Sequence, residues 1–144
     1  MMKRSGLLLI ALLLTGFAPV AEAADFKVVV NASNPISSIT AKELSGLFLK
    51  KDDTWPDGQT VTAVDLKSDS PIREGFTKAI HGKKVSAIKS YWQRQIFQGK
   101  AVPPMERSTD AEVLAFVASK SGAVGYVSST AGLNAKVKEL AVEN

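Results

Sequence analysis

The stretch VTAVDLKSDSPIREGFTKAIH, residues 61–81, decides the fold of this chain. Its first six residues contain a nearly alternating apolar run, Val61, Ala63, Val64 and Leu66, which predicts a β-strand over 61–66. A polar turn over 67–70 follows, and a helix then begins with Ser70 as its N-cap and Pro71 at its first position. Gly82 fits the position just after the helix end. Helical spacing predicts an inward stripe of Ile72, Phe76, Ala79 and Ile80.

A polar turn between a strand and a helix is a suitable place to bind an anion. The first N–H groups of a helix have no partner within the helix, and they lie at the positive end of its dipole. In open α/β sheets, ligands bind beyond the carboxyl ends of the strands. We therefore predict an oxyanion site at this turn. Its predicted ligand-binding residues are Asp65, Ser68, Asp69, Ser70 and Arg73.

Arg73 is the one residue of this set whose charge is unfavourable at its position unless an anion lies nearby. It occupies the third helical position, where the helix dipole disfavours a cation by up to about 1 kcal/mol. A bound anion, or Asp65 or Asp69 nearby, would offset that cost. The alternative is an exposed Arg73 that pairs with Glu74 or a neighbouring Asp. Nearby carboxylates would favour a protonated oxyanion such as hydrogen phosphate over sulfate, because a carboxylate needs a donor opposite it.

The N-terminus has the pattern of a targeting segment. Lys3 and Arg4 precede an apolar run over 6–17, which is shorter than the roughly 20 residues that span a bilayer as a helix. Ala21-Glu22-Ala23 is a small-x-small cleavage pattern. The prediction is a signal peptide over residues 1–23 and export to a bacterial periplasm. An uncleaved membrane anchor is the alternative.

The remaining residues, 24–144, are enough for one compact domain with one core. The chain contains no cysteine, so disulfides and thiol chemistry are excluded. Without Lys3, Arg4 and Glu22 its formal charge falls from +4 to +3, with 16 basic against 13 acidic residues. The charges are interspersed, and no basic run has aromatic residues interleaved for base stacking, which argues against nucleic-acid binding.

The other elements give the order β-α-β-α-α-α-β-β, which is typical of an α/β domain with a small, mostly parallel or mixed sheet. Further strands are predicted over 26–31, 123–127 and 137–142. Thr40 with Glu43, and Thr109 with Glu112, form capping boxes that begin two helices. Another helix is predicted from a Ser86 cap to about residue 98, with Ile88, Tyr91, Trp92, Ile96 and Phe97 inward. Residues 100–107 are predicted to be a loop, and Gly122 to end the Thr109 helix.

Catalytic and metal-binding patterns are missing from the sequence. His81 is the only histidine, and its place beside Gly82 suits a helix cap or an exposed imidazole. With one histidine and no cysteine, the usual transition-metal ligands are absent. There is no nucleophile elbow, P-loop or dinucleotide fingerprint. We therefore predict a protein that is not an enzyme and has no cofactor. Trp55, Tyr91 and Trp92 either line a ligand cleft or, more commonly for such residues, pack in the interior.

Taken in order, these motifs resemble the phosphate-binding components of bacterial ABC transporters. The resemblance covers nearly the whole chain after residue 24. It rests on Val28-Val-Val-Asn31, Leu44-x-x-Leu-Phe48, Trp55-Pro-Asp-Gly58, Val64-Asp65 with Ser68-Asp-Ser70 before Phe76, Tyr91-Trp92 through Phe97-x-Gly99, and Gly122-Ala-Val-Gly-Tyr-Val127. It implies a type 2 periplasmic-binding-protein fold, in which two α/β lobes close over an oxyanion, and an ABC transporter permease or another envelope protein as a partner.

The sequence departs from that family in two ways. It has the length of a single lobe, so the other half of the cleft would be missing unless two chains pair. The family's turn usually reads Arg-x-Asp-Gly-Ser-Gly-Thr; here Ser70 keeps the Ser, Pro71 and Ile72 replace Gly and Thr, and no Arg stands at Asp65 or Leu66. Arg73 or Lys67 would have to supply the charge.

Two functions follow as hypotheses. The first is an exported solute-binding protein for phosphate or a related oxyanion. The second is a single lobe repurposed as a periplasmic interaction or sensor module without tight anion binding. The oligomeric state and the partner stay open.

Overall fold

The computed structural model describes residues 25–144, so the predicted signal peptide over 1–23 lies outside the described residues. The strands are β1 Phe26–Asn31, β2 Ser38–Thr40, β3 Thr62–Leu66, β4 Met105–Arg107, β5 Ala123–Ser128 and β6 Val137–Glu143. The helices are α1 Ala41–Phe48, α2 Pro71–Phe76, α3 Val85–Phe97 and α4 Asp110–Ser119. A π-helical segment, Thr77–His81, continues α2 directly.

The six strands form one mixed sheet in the order β2-β6-β1-β5-β3-β4. β1 runs antiparallel to both of its neighbours, β5 and β6, whereas the other pairs are parallel. β1 and β5 hold the continuous apolar runs of the chain, and their central residues are buried because helices cover both faces. The predicted α/β class with a small mixed sheet is confirmed.

Two adjacent residues of β5 show how the layers pack. A Cβ atom at Gly125 would lie 2.8 Å from side-chain atoms of both Val113 and Val64, so the missing side chain lets α4 approach the sheet. The next side chain, Tyr126, points to the opposite face, as alternation in a strand requires. There its ring stacks on Phe76 with centroids 3.8 Å apart. The sheet therefore lies between α4 on one face and α2 on the other.

Local sequence signals explain where most helices begin. Thr40 accepts a hydrogen bond from the Glu43 N–H while the Glu43 carboxylate accepts one from the Thr40 N–H, and Thr109 and Glu112 repeat this arrangement. Both predicted capping boxes are confirmed. The Ser70 side chain caps α2 as predicted, and Gly82 ends the π-helical segment at φ +64°, a conformation in which glycine is favoured.

Several predicted boundaries are wrong. Helix α3 begins one residue before the predicted Ser86 cap, with Lys84 as an N-cap that makes no side-chain bond. Helix α4 ends at Ser119, before Gly122. Gly122 instead allows a close approach, because a Cβ there would lie 2.0 Å from the Thr60 carbonyl oxygen. Strand β4 lies within the predicted loop over 100–107, and β2 is not predicted by the sequence pattern; each strand has three residues, too few for alternation to be recognised.

Two predicted apolar stripes extend too far. Ala79 is exposed because it lies in the π-helical segment, where the residues per turn exceed the α-helical value on which the stripe was based. In α3, Ile88 and Trp92 are buried against Leu49, whereas Ile96 and Phe97 are 53% and 93% exposed. Helix α3 therefore packs through a small apolar cluster that is separate from the main core. No helix within residues 25–144 has the length and apolar character needed to span a bilayer.

Candidate functional site

The predicted turn lies at the carboxyl end of β3, as the sequence indicated. The Ser70 N–H donates to the Lys67 carbonyl oxygen at 3.0 Å and closes the turn, and the Lys67 N–H donates to the Arg107 carbonyl oxygen at 3.1 Å. The second bond ties the turn to the end of β4. The turn that would meet a ligand is therefore supported by two neighbouring strands.

Few backbone N–H groups at the start of α2 are free to bind an anion. Pro71 has no N–H, the Arg73 N–H donates to Ser70 Oγ at 3.4 Å, and the Glu74 N–H donates to the Ser70 carbonyl oxygen at 3.1 Å. This leaves at most the Ile72 N–H in the first turn. An anion at this place would depend mainly on side chains.

Side chains of both charges line an open cleft of about 630 Å³ beside the turn. Three hydroxyl or carboxylate groups come from the turn, two groups come from the outer face of α2 and the π-helical segment, and two come from the connection to α3. They are Ser68, Asp69 and Ser70, then Glu74 and Lys78, then Lys83 and Lys84. Three ammonium groups against two carboxylates give this cleft a formal excess of one positive charge.

Arg73 does not lie in this cleft. Its side chain is buried under the turn, where Nη1 donates to the Leu66 carbonyl oxygen at 3.0 Å and to Glu106 Oε1 at 3.1 Å. Its Nη2 lies 3.9 Å from Asp65 Oδ2. A buried guanidinium needs acceptors on several of its N–H groups, and β3 and β4 supply them. The alternative of an exposed Arg73 is wrong, and so is Glu74 as its partner. The pairing with a neighbouring Asp is found, with Asp65, and Glu106 is a second carboxylate partner.

Asp65 lies in the same buried cluster. Its Oδ1 accepts a 2.6 Å hydrogen bond from the Tyr126 hydroxyl, and that hydroxyl oxygen accepts one from the Leu66 N–H at 3.2 Å. Burial raises the pKa of the Asp65 carboxyl, and the charge of Arg73 and the bond from Tyr126 oppose that rise. Burial and the neighbouring Asp65 raise the pKa of Tyr126. The phenol is therefore a neutral donor at any physiological pH.

The predicted site residues thus fall into two groups. Ser68, Asp69 and Ser70 line the cleft, whereas Asp65 and Arg73 lie beneath the turn and contact each other. The second group can hold the turn in place but does not contact the cleft. The ligand-binding role of all five residues stays a prediction.

His81 is partly buried rather than exposed at its helix end. Its Nδ1 lies 2.7 Å from Ser45 Oγ, and its ring meets the Phe76 ring edge-on, with centroids 5.7 Å apart. Burial, and then the positive charges of Arg73, Lys51 and Lys83, lower its pKa to about 4. His81 is therefore neutral at pH 7 and joins α1 to the end of the π-helical segment.

The tryptophans belong to the interior. Trp55 is 2% exposed, and its indole N–H donates to the Gly122 carbonyl oxygen at 3.0 Å. Trp92 is 5% exposed, and Tyr91 donates from its hydroxyl to the Leu49 carbonyl oxygen at 2.7 Å. Of the two interpretations of these aromatic residues, packing is confirmed for Trp55 and Trp92.

Sequence reasoning missed Tyr126, Glu106 and the three lysines of the cleft. The strand register brings the first two to Asp65, because Glu106 is its partner in β4 and the pairing of Ala63 with Val124 places Tyr126 beside it in β5. Because β4 was not predicted, the sequence could not show that Glu106, Asp65 and Tyr126 lie side by side on adjacent strands. The lysines could have been noticed from the sequence, because Lys78, Lys83 and Lys84 all lie within eight residues of the end of α2. In the described part of the chain, no three His, Cys, Asp or Glu side chains are grouped so as to hold a metal ion.

Solved structures with the same fold were found, although no protein-family model and no curated protein sequence match the chain. An ABC-type phosphate transport receptor from Vibrio cholerae is 19% identical, with a TM-score of 0.65 over 84% of this chain and 47% of that one. A Clostridium perfringens protein described as a phosphate ABC transporter substrate-binding protein, solved with bound phosphate, is 16% identical, with a TM-score of 0.66 over 84% and 46%. PstS from Borrelia burgdorferi is 14% identical, with a TM-score of 0.56 over 84% and 48%.

The chain spans about half the length of the structures that it matches. At these identities the likeness establishes the fold. The described residues form one lobe of a type 2 periplasmic-binding-protein fold, and the resemblance to phosphate-binding components of ABC transporters is confirmed at the level of three-dimensional structure.

Proposed function

We propose that this protein is an exported, non-catalytic solute-binding protein that takes phosphate or a related oxyanion at the Ser68–Ser70 turn. The observation that carries the proposal is the cleft beside that turn, where serine hydroxyls and three lysines meet at the carboxyl end of β3. Ligands of open α/β sheets bind at such ends. The fold shared with phosphate-binding proteins supports the choice of anion.

The chemistry of the cleft suits a partly protonated anion. Lys78, Lys83 and Lys84 would supply charge, and the Ser68 and Ser70 hydroxyls would donate hydrogen bonds. Asp69 and Glu74 can only accept hydrogen bonds when ionised. They would accept one from the P–OH group of hydrogen phosphate and disfavour sulfate, which has no O–H to donate at neutral pH. In this proposal Arg73 and Asp65 do not contact the anion. Arg73 pairs with Asp65 and bonds to the Leu66 carbonyl oxygen, and it thereby fixes the residue at which the turn begins.

An open cleft limits affinity. A phosphate held on one side remains partly in water, where salt screening weakens each ionic contact. We therefore propose weak binding by one chain alone, and tighter capture only when a second surface covers the anion. Such a surface could belong to a second copy or to an ABC transporter permease in the periplasm, which is the partner that the proposal implies.

Calorimetric titration and thermal unfolding with phosphate, sulfate and chloride at matched ionic strength test the proposal. Binding at a hundredfold excess over the dissociation constant would stabilise the fold by about 2.7 kcal/mol. The double variant K83Q/K84Q and the variant S68A should each weaken phosphate binding several-fold. K42Q, which removes an exposed lysine of α1, should leave it unchanged. Equal melting temperatures in phosphate, sulfate and chloride from millimolar up to about 0.1 M, with no phosphate binding by calorimetry, would overturn the proposal.

The second candidate function is an interaction or sensor module without tight anion binding. The observation that favours it is Phe97, which is 93% exposed at the end of α3. Trp55 is unsuitable for testing this function, because it is buried and replacing it by alanine would destabilise the protein by about 3–5 kcal/mol. Capture of a periplasmic partner that is lost in F97S and kept in S68A, with no response to phosphate, would favour the second function over the first.

A further inference from the structure

The segment 75–105 differs in charge from the rest of the chain. It contains Lys78, Lys83, Lys84, Lys89, Arg94 and Lys100, and it contains neither Asp nor Glu. The charges of the chain as a whole are interspersed, but here they are of one sign over 31 residues. Helix α3 occupies the centre of this segment.

Helix α3 presents apolar side chains on two opposite sides. Ile88 and Trp92 pack against Leu49 and attach the helix to the protein. Phe97 follows Ile88 by nine residues, about two and a half helical turns, so it lies on the opposite side. Phe97 is 93% exposed and its neighbour Ile96 is 53% exposed. Single exposed apolar side chains are common on protein surfaces, but exposed apolar side chains grouped together and rimmed by polar residues mark a surface that meets a partner or a membrane.

Cations surround these two side chains. Arg94 and Phe97 line one shallow depression together with Ser90, Gln93 and Gln98, with no carboxylate among them. The Lys100 N–H donates to the Gln95 carbonyl oxygen at 2.9 Å, which places Lys100 over the last turn of α3. Lys89 precedes Ile96 by seven residues, about two turns, and lies on the same side. We name Lys89, Arg94, Ile96, Phe97 and Lys100 the α3 patch.

The cations of the α3 patch are not neutralised within the protein. Among residues 25–144, the ion pairs with a nitrogen-to-oxygen distance within 4.0 Å both belong to Arg73. Lys89, Arg94 and Lys100 therefore have no carboxylate partner at that distance in this part of the chain. Their charge is available to an external anionic surface.

We propose that the α3 patch binds the surface of an anionic lipid membrane, with Phe97 and Ile96 entering the interface and the cations contacting lipid phosphates. Aromatic and aliphatic side chains next to Lys and Arg are the combination by which peripheral proteins hold anionic bilayers. The patch projects from the end of a helix and has no deep groove for a partner's side chain, which favours a lipid surface over an acidic protein. Because Ile88 and Trp92 hold α3 from the other side, insertion of Phe97 needs no unfolding.

This inference does not depend on phosphate binding in the cleft. Ser68, Ser70, Lys78, Lys83 and Lys84 are not members of the α3 patch. Loss of one activity by substitution should therefore leave the other in place.

The absence of cysteine allows a direct test by site-specific labelling. The full chain carrying Q98C, labelled with a polarity-sensitive fluorophore, is mixed with vesicles of phosphatidylglycerol and phosphatidylcholine. We expect a blue shift with phosphatidylglycerol vesicles that decreases with salt, and little change with pure phosphatidylcholine. The same label at A135C, an exposed position in the turn before β6, should not shift.

Substitutions in the same full chain separate the α3 patch from any lipid affinity of residues 1–24. F97S should abolish the blue shift at residue 98 and weaken vesicle co-sedimentation about tenfold or more, because it removes an inserted aromatic ring. K89Q/R94Q should weaken vesicle co-sedimentation about 25-fold, from about fivefold for each of the two cations. Neither change should alter the melting temperature, since these side chains are exposed.

Three results would overturn the proposal. One is a label at residue 98 that stays in a water-like environment while the protein co-sediments with vesicles. Another is unchanged binding by F97S and K89Q/R94Q. The third is a dimer, or a complex with an acidic protein, that requires Phe97 while no lipid binding is found; the α3 patch would then be a protein interface.

Discussion

The Tyr126 hydroxyl donates a 2.6 Å hydrogen bond to Asp65 Oδ1 in the interior, between β5 and β3. The same hydroxyl accepts a bond from the Leu66 N–H, so one side chain serves two buried polar groups. Arg73 completes the cluster from α2 by binding the Leu66 carbonyl oxygen. These bonds hold the last residues of β3, from which the turn of the candidate site begins.

We expect Y126F to destabilise the protein by about 2–3 kcal/mol, because it removes the hydrogen bond to the buried Asp65 carboxylate and leaves the Leu66 N–H without its hydroxyl acceptor. The ring and its stacking on Phe76 would be kept. Chemical denaturation measures the change. Y91F is the matched control; its hydroxyl bonds to one carbonyl near the surface, and it should cost about 1 kcal/mol or less. Equal losses for the two variants would contradict the role given to Tyr126.

We expect R73L to destabilise the protein by about 3–5 kcal/mol, because Asp65 would be left as a buried charge without its cation. Adding D65N should recover part of that loss, since the unpaired Asp65 carboxylate is then replaced by a neutral amide. Denaturation of the two single variants and the double variant gives the coupling. R94L, at an exposed arginine, should change stability by no more than about 0.5 kcal/mol. Strictly additive losses in the double variant would show that Arg73 and Asp65 do not interact.

Stability should fall as the pH is lowered from about 6.5 to about 4, because of His81. Its folded pKa of about 4 lies below the ordinary histidine pKa of 6.5, so the folded state favours the neutral ring. The stabilisation is complete above pH 6.5 and is lost as protons bind preferentially to the unfolded chain. From pH 7.5 to 4.5 we expect a loss of about 2 kcal/mol from this group. H81Q cannot titrate, so the pH dependence of its unfolding free energy should be shallower by that amount. Parallel curves for the two proteins would rule out this assignment.

We expect G125A to destabilise the protein by about 1–3 kcal/mol, because the added methyl group would lie 2.8 Å from side-chain atoms of Val113 and Val64. The helix α4 would have to move away from the sheet. Thermal unfolding measures the loss. In G132A the added methyl group meets no atom within 4 Å, so that variant should keep the wild-type melting temperature. A wild-type melting temperature for G125A would show that α4 is not held close to β5.

Local sequence determined most of the elements and their caps. The capping boxes at Thr40 and Thr109, the Ser70 cap with Pro71, and the apolar runs of β1 and β5 depend on residues within a few positions of one another. The resemblance built on their order predicted one lobe of a binding-protein fold, and the solved structures confirm that fold. The place of the candidate site, at the end of β3, followed from the same local pattern.

Tertiary structure alone decided what Arg73 does. Its partner Glu106 is 33 residues away and lies in β4, a strand too short for its pattern to be recognised. Sequence spacing on one helix suggests that Arg73 faces a ligand at the turn, but the register of β3 and β4 places two carboxylates and a carbonyl oxygen beneath α2. The physical reason is that a buried guanidinium goes where several acceptors converge, and such convergence between distant strands is a property of the sheet rather than of any segment.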